Sequence, residues 1–385
     1  MFSFLLLIIY ICFISLGLPD SLLGASWPII YNEFNVPVSY AGFISVTIAL
    51  GTIISSLSSD KITRKLSPGL VTSISILMTA GALLGFSLST KFWMLIIFAI
   101  PYGLGAGGVD ACLNNYVALH YESKHMSWLH SMWGIGTVIS PYIMGLVLSG
   151  GQNWNNGYLI VSIIQFSLAV FVFTTLPRWK KREEPINEIN IKSLSLKQII
   201  TIPGALTCFI LFFCYCALEQ TSMLWASSFL VLNNGIEEEI AAMLASLCCI
   251  GITLGRVING FLTMKFTNKF LIRLGLLIIS TGILLLFIPY NITNIIGFVL
   301  IGLGCAPIYP CIIHSTPKLF GKENSQAMIG VQMACAYIGV LIMPPLFGVI
   351  ANHINISLLP VYLLLILVTA IMMNEITNRK TSNVK

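Results

Sequence analysis

"GTIISSLSSDKITRKL" (residues 51–66) and "GRVINGFLTMKFTNKF" (residues 255–270) carry one pattern twice. Laid on each other, Gly51 meets Gly255, Lys61 meets Lys265, Thr63 meets Thr267 and Lys65 meets Lys269, and "IALG" just upstream meets "ITLG". With slightly different offsets "GLGAGG" (103–108) falls on "GLGCAP" (302–307), and Gly136, Pro141 and Gly145 fall on Gly339, Pro344 and Gly348. Collinear matches with small gaps are the mark of an internal duplication. Residues 1–176 and 203–374 therefore read as two copies of one unit. A linker (177–202) joins them and a tail (375–385) follows.

Composition says where such a chain lives. Of 385 residues 57% are hydrophobic and only 9% charged, with mean hydropathy +0.91. Soluble domains carry about a quarter charged residues, so a large soluble enzyme is excluded and a polytopic membrane protein is expected. The N-terminal "MFSF" lacks a basic region and no small-residue cleavage site follows, so the first apolar run reads as a retained helix rather than a signal peptide. The ten cysteines lie almost all in apolar segments without paired C-x-x-C spacing. They read as packing residues, not as a disulfide or metal framework.

A helix needs about 20 apolar residues to cross a bilayer. Spans are expected at 3–33, 38–59, 67–89, 92–119, 126–149 and 157–176, then at 203–232, 239–263, 268–289, 294–317, 326–350 and 355–374. The charges orient them. With both termini in the cytoplasm, Lys91 alone of the basic residues faces out, Arg256 lies within a span, and all the others face inside. That asymmetry follows the positive-inside rule. It accounts for the net charge of +6 as a topology signal, so no nucleic-acid partner is expected.

Two parallel six-helix copies joined by a cytoplasmic linker are a known transporter layout, and the residues add a family resemblance. The loop after the second span resembles that of the major facilitator superfamily, G-x-x-x-D-R-x-G-R-R. Ser56, Asp60, Lys61, Thr63, Arg64 and Lys65 stand at those places, matching the acid and the basic positions and replacing both glycines. The second copy has Gly260, Lys265, Thr267 and Lys269, with Met264 in place of the acid. The resemblance covers essentially the whole chain. It implies an all-α membrane protein of major facilitator fold with 12 transmembrane helices in two pseudo-symmetric halves, acting as a monomer by alternating access in the plasma membrane. It also implies a gating latch at Asp60, Lys61, Arg64 and Lys65. The same basic residues also serve topology alone.

Three acids fall inside expected spans, Asp20, Asp110 and Glu219, together with Arg256. A charge near the bilayer centre costs at least about 2.5–3.5 kcal/mol, so such residues normally face a cavity and serve transport or proton relay. Each is weighed against a plain polar contact between helices. Asp110 stands in "GLGAGGVDACLNNYV" with Asn114 one turn on, a strip suited to hydroxyls. "GLGAGG" also satisfies G-x-G-x-x-G, but it follows no strand and lies in an apolar span, so no dinucleotide cofactor is expected. Asp20 stands in "GLPDSLLGASWP", where Gly17, Pro19, Gly24 and Pro28 read as points of bending or close packing. Glu219 and Gln220 occupy the repeat-equivalent span. Trp27 follows Asp20 as Trp225 follows Glu219. Arg256 reads as a structural or gating ion-pair partner.

Around these lie His130 and Trp133 in the fifth span, Gln332 and Tyr337 in the eleventh, and Tyr309 in "GCAPIYP" of the tenth. Aromatic faces beside amides and acids suit a sugar, and other amphipathic solutes as well. An acid in span 1, an acid in span 4 and this tenth span resemble the fucose–galactose–glucose:proton symporter branch and its sodium-coupled glucose relatives. The resemblance implies a small polar solute, a sugar above all, coupled to a proton or sodium. Asp20, Asp110 and Glu219 would serve the ion, with Asp110 as partner of Asp20 across the cavity. Asp110, Asn114, His130, Trp133, Trp27, Gln220, Trp225, Tyr309, Gln332 and Tyr337 would serve the solute. A proton-coupled drug or metabolite exporter uses the same fold and acids. A membrane-embedded enzyme or receptor would want a nucleophile or metal cluster, and the histidines are dispersed. Neither a cofactor nor a metal is expected, and membrane lipid is the surrounding partner.

Overall fold

A backbone in hydrocarbon must satisfy every N–H and C=O internally, and a helix does so within one segment. The computed structural model describes residues 4–180 and 194–382, and its described elements are helical throughout. In chain order they are α1 (Phe4–Asp20), α2 (Leu22–Glu33), α3 (Ala41–Leu66), α4 (Pro68–Ser87), α5 (Phe92–His120), α6 (Ser123–Ser149), α7 (Trp154–Thr174), α8 (Leu176–Lys180) and α9 (Leu196–Thr201). Then follow α10 (Ala205–Leu232), α11 (Glu238–Leu262), α12 (Asn268–Leu286), α13 (Asn291–Cys305), α14 (Ile308–Phe320), α15 (Ser325–His353) and α16 (Leu359–Ser382), with short 3-10 turns at Val38–Tyr40 and Ile356–Leu358. Most of the expected linker, residues 181–193, lies outside the described residues.

Among the described residues eleven helical stretches are long and apolar enough to span a membrane. Twelve were expected. The twelfth expected span, 239–263, corresponds to α11 (Glu238–Leu262), which contributes the shorter apolar stretch Ser246–Leu262. Two expected spans are each built of two helices. The first breaks at Ser21, between α1 and α2, two residues after Pro19. The tenth breaks at Ala306–Pro307, between α13 and α14. Proline removes a backbone donor and clashes with the preceding turn, so a break beside it is expected. Polar signals set other ends. Pro68 opens α4, where its missing N–H costs nothing, and Thr267 caps α12 by accepting from Phe270 N.

The described residues form two compact units, one from Met1–Tyr116 and Met132–Ser193, the other from Val117–Ser131 and Leu194–Lys385. In the first unit Leu22, Trp27, Ile30, Ile44, Phe86, Trp154 and Tyr158 share one buried cluster. Trp154 donates to Glu33 Oε2 at 2.6 Å.

Most glycines of the duplicated pattern mark close helix crossings in both units, whereas a Cβ on Gly145 would have nothing within 4 Å. A Cβ on Gly103 of α5 would stand 2.2 Å from Ile48 O of α3, and one on Gly302 of α13 would stand 2.2 Å from Cys248 O of α11. A Cβ on Gly136 of α6 would meet Ile14 O of α1 at 2.1 Å, and one on Gly339 of α15 would meet Phe213 O of α10 at 2.7 Å. Small residues let membrane helices pack backbone to backbone, so the duplication is a repetition of crossings. Gly24, expected as a packing point, has nothing within 4 Å of such a Cβ.

Candidate functional site

In the first unit the site is built by Gly17. A Cβ there would lie 2.2 Å from the carbonyl oxygen of Trp133, so only glycine lets α1 come this close to α6. One turn further, Asp20 ends α1 at the helix break and its side chain meets α6 and α5 together. Trp133 Nε1 donates to Asp20 Oδ2 at 2.8 Å, and the Tyr102 hydroxyl of α5 donates to Asp20 Oδ1 at 2.8 Å. Asp20 is exposed, Trp133 is half-buried and Tyr102 is buried. Among the described residues no cation pairs with Asp20. Two neutral donors leave a carboxylate, which can accept about four hydrogen bonds, with further acceptor capacity.

Asp110 lies elsewhere. It is buried on α5, eight residues beyond Tyr102, which is about 12 Å of helix rise. Its Oδ1 accepts from Asn114 Nδ2 at 2.7 Å. The expected partnership of Asp20 with Asp110 is thus replaced at the level of hydrogen bonds by Tyr102 and Trp133, because α5 presents a tyrosine, not the acid, at the height of Asp20. Gly105, Gly107 and Gly108 seat the Asp110 stretch, with Cβ positions 2.5–2.6 Å from Ser75 O, Thr52 O and Ser75 Oγ respectively.

The second unit handles its acid differently. Glu219 is buried on α10, with Tyr215 donating to it from one turn earlier. Arg256 of α11, also buried, reaches Glu219 Oε1 with Nη2 at 3.2 Å. Arg256 therefore pairs with an embedded acid. The same unit holds an aromatic group. The Tyr309 ring centroid is 4.5 Å from that of His130 and 4.8 Å from that of Phe212, and its hydroxyl donates to Met333 Sδ at 3.0 Å. His130 and Phe212 are buried while Tyr309 is half-buried. The buried rings hold the Tyr309 ring in place.

The remaining expected residues are placed as follows. Trp27 is buried in the core of the first unit against Tyr31 and Phe92. Trp225 donates to Pro344 O at 2.9 Å and packs on Phe347. Gln332 is buried, donating to Cys208 Sγ and accepting from Thr316 Oγ1 at 3.1 Å. Gln220 and Tyr337 are half-buried. At the end of α3, Asp60 is buried and Arg64 Nε donates to its Oδ1 at 2.9 Å, while Oδ2 has no partner among the described residues. Lys61 and Lys65 are exposed. The sequence reading missed Tyr102, Tyr215 and Phe212. Tyr215 was findable, since it precedes Glu219 by four residues on one helix face. Tyr102 carried no such signal.

A helical membrane chain with duplicated crossings, broken spans and embedded acids has the layout of a membrane transporter. The sequence profile of the Major Facilitator Superfamily matches residues 9–233 and 213–379. The chain belongs to that superfamily: it is an integral membrane transporter and not an enzyme. It is 22% identical over 393 residues to Bypass of stop codon protein 6 of Saccharomyces cerevisiae, covering 91% of this chain and 77% of that one. It is 24% identical over 369 residues to the glucose/mannose transporter GlcP of Bacillus subtilis, covering 91% and 88%. Its fold is similar to the crystal structure of the E. coli fucose:proton symporter FucP, with TM-score 0.77, 16% identity, and coverage of 96% and 98%.

Proposed function

We propose that this transporter moves a small neutral sugar by symport with a proton, and that Asp20 carries the coupling charge. The observation that carries this reading is the exposed Asp20 carboxylate, bound by Tyr102 and Trp133 and paired with no cation among the described residues. The similarity to a glucose/mannose transporter supports the sugar, and the fold shared with a fucose:proton symporter supports the layout. A proton on Asp20 cancels its charge, and a neutral carrier reorients without dragging a charge through hydrocarbon. The sugar, once bound, hydrogen-bonds to the open carboxylate edge and lays its C–H face on Trp133. Glu219 is withdrawn from this duty by Arg256. The chain works by alternating access of its two halves, residues 1–176 and 203–374, in the plasma membrane, and Asp60 with Arg64 serves as latch.

The test is uptake of labelled glucose, mannose and fucose by proteoliposomes under an inward proton gradient, an inward sodium gradient, or neither. Accumulation of one sugar above its outside concentration under the proton gradient alone is expected. Sodium-driven accumulation would reassign the ion. Gradient-driven extrusion of solute would make the chain an exporter.

A further inference from the structure

The second unit includes a segment that its position in the chain does not announce. Val117–Ser131, the end of α5 and the start of α6, belongs to it, while α6 from Met132 onward belongs to the first unit. Three polar contacts fasten the segment. His314 Nε2 of α14 meets the Tyr121 carbonyl at 2.9 Å, Ser123 Oγ donates to Asn268 Oδ1 of α12 at 2.7 Å, and Asn259 Nδ2 of α11 donates to Ser127 Oγ at 2.7 Å. Trp128 lies flat against α11, where a Cβ on Gly260 would stand 2.1 Å from Trp128 Nε1.

Proton accounting fixes the state of His314. Ser123 donates to Asn268 Oδ1, so the amide turns its Nδ2 toward Ser315 Oγ, at 3.1 Å, and His314 Nδ1, at 3.2 Å. Ser315 gives its own hydrogen to Cys311 O at 2.7 Å and is free to accept. His314 Nδ1 must then accept from Asn268, and Nε2 must carry the hydrogen given to Tyr121 O. The assignment rests on the network and requires a neutral ring. A second proton at Nδ1 sets a donor against a donor. Turning the amide over leaves Asn268 Oδ1 facing Ser315, whose hydrogen is already used. The charge also arrives among cations. The charged and titratable groups around His314 are His125, Lys124 and Glu122 on the segment itself, Lys318 one turn along α14, and Lys269 beside Asn268 on α12. Glu122 is already taken by Lys124 at 2.8 Å, and that lysine holds its carboxyl below the usual range.

We propose that His314 is a proton-sensitive latch: neutral, it fastens Tyr121 and Asn268 and holds the Val117–Ser131 segment to the second unit, and protonated it releases that segment. The proton arrives from the end of the membrane that bears Lys124, which the charge distribution reads as cytoplasmic. The device goes beyond the coupling role proposed for Asp20 and stands whatever the substrate is.

Hydrogen exchange of the backbone amides in 117–131 tests it, on the purified full chain at pH 7.5 and 5.5, with rates corrected for intrinsic exchange. The wild type is expected to exchange about tenfold faster at the lower pH, the loss of a hydrogen bond or two. His314→Gln keeps a donor for Tyr121 O but cannot take the charge, so its segment stays protected at both values. Asn268→Asp turns the hub into an acceptor for a charged ring, so its segment is protected at pH 5.5 at least as well as at 7.5. His125→Gln, the control for the neighbouring ring, keeps the wild-type response. The proposal is overturned by a wild type without a response, by a response that survives in His314→Gln, or by one that vanishes in His125→Gln.

Discussion

Asp20 and Glu219 occupy the first spanning helix of their respective repeat copies, and the molecule treats them in opposite ways. Glu219 is buried and closed in by Arg256 and Tyr215. Asp20 is exposed and held by an indole N–H and a phenol, with no cation paired to it among the described residues. A buried carboxylate and guanidinium compensate each other's charge, and loss of either leaves the other uncompensated. A carboxylate anchored only by neutral donors is at liberty to take and lose a proton. The difference teaches that an acid embedded in a span is not by itself a coupling site. The partner decides, and the partner of Glu219 comes from another helix.

The largest effect that would break this comparison is on Arg256. Arg256→Met strands the Glu219 charge, and removal of one partner of a buried pair costs about 3–5 kcal/mol. Thermal unfolding of the purified variant should show that loss, and Glu219→Gln added to it should recover most of the melting temperature. A double variant no more stable than the single one would mean that the pair does not act as a pair. Next comes Gly17→Leu, which drives α1 from α6 at a cost of about 1–3 kcal/mol and parts Asp20 from Trp133. Its transport should fall with its stability, whereas Gly24→Leu, with open space around it, should change neither. The smallest effect belongs to Trp133→Phe. It removes one donor from an exposed carboxylate, about 1 kcal/mol or less. Stability should hardly change, and sugar affinity measured by counterflow should weaken about fivefold. A Trp133→Phe protein as unstable as Arg256→Met would abolish the contrast between the two acids.

Much of the fold was legible because membrane insertion imposes a simple grammar. Apolar length, loop charge and the repeated glycines each report on one helix at a time. Those glycines could be aligned between copies before anything was known of their neighbours, and the structure finds all but Gly145 in close contact. The site was legible in its acids, which stand out against apolar sequence, and in Arg256 as an ion-pair partner, but not in which residue meets which acid. Nothing near Asp20 in the chain points to Tyr102, and nothing near Glu219 points to Arg256, because those contacts depend on which helices cross and at what height. Trp27 and Trp225 show the converse. Their matched spacing from the two acids suggested a shared role at the solute, yet one packs in a core and the other caps the Pro344 carbonyl. Spacing along a helix reports a face, and only the neighbouring helix decides whether that face is cavity or core.

The central claim is that Asp20 carries the coupling charge. It is tested most directly by comparing, in proteoliposomes of Asp20→Asn, sugar accumulation under a one-unit inward pH gradient with sugar counterflow at equal pH. At one proton per sugar that gradient supports about tenfold accumulation, since each pH unit is worth about 1.4 kcal/mol. The variant should fall to no accumulation while its counterflow persists, because asparagine keeps the site in its neutral, mobile form. Accumulation at the wild-type level in Asp20→Asn would contradict the account.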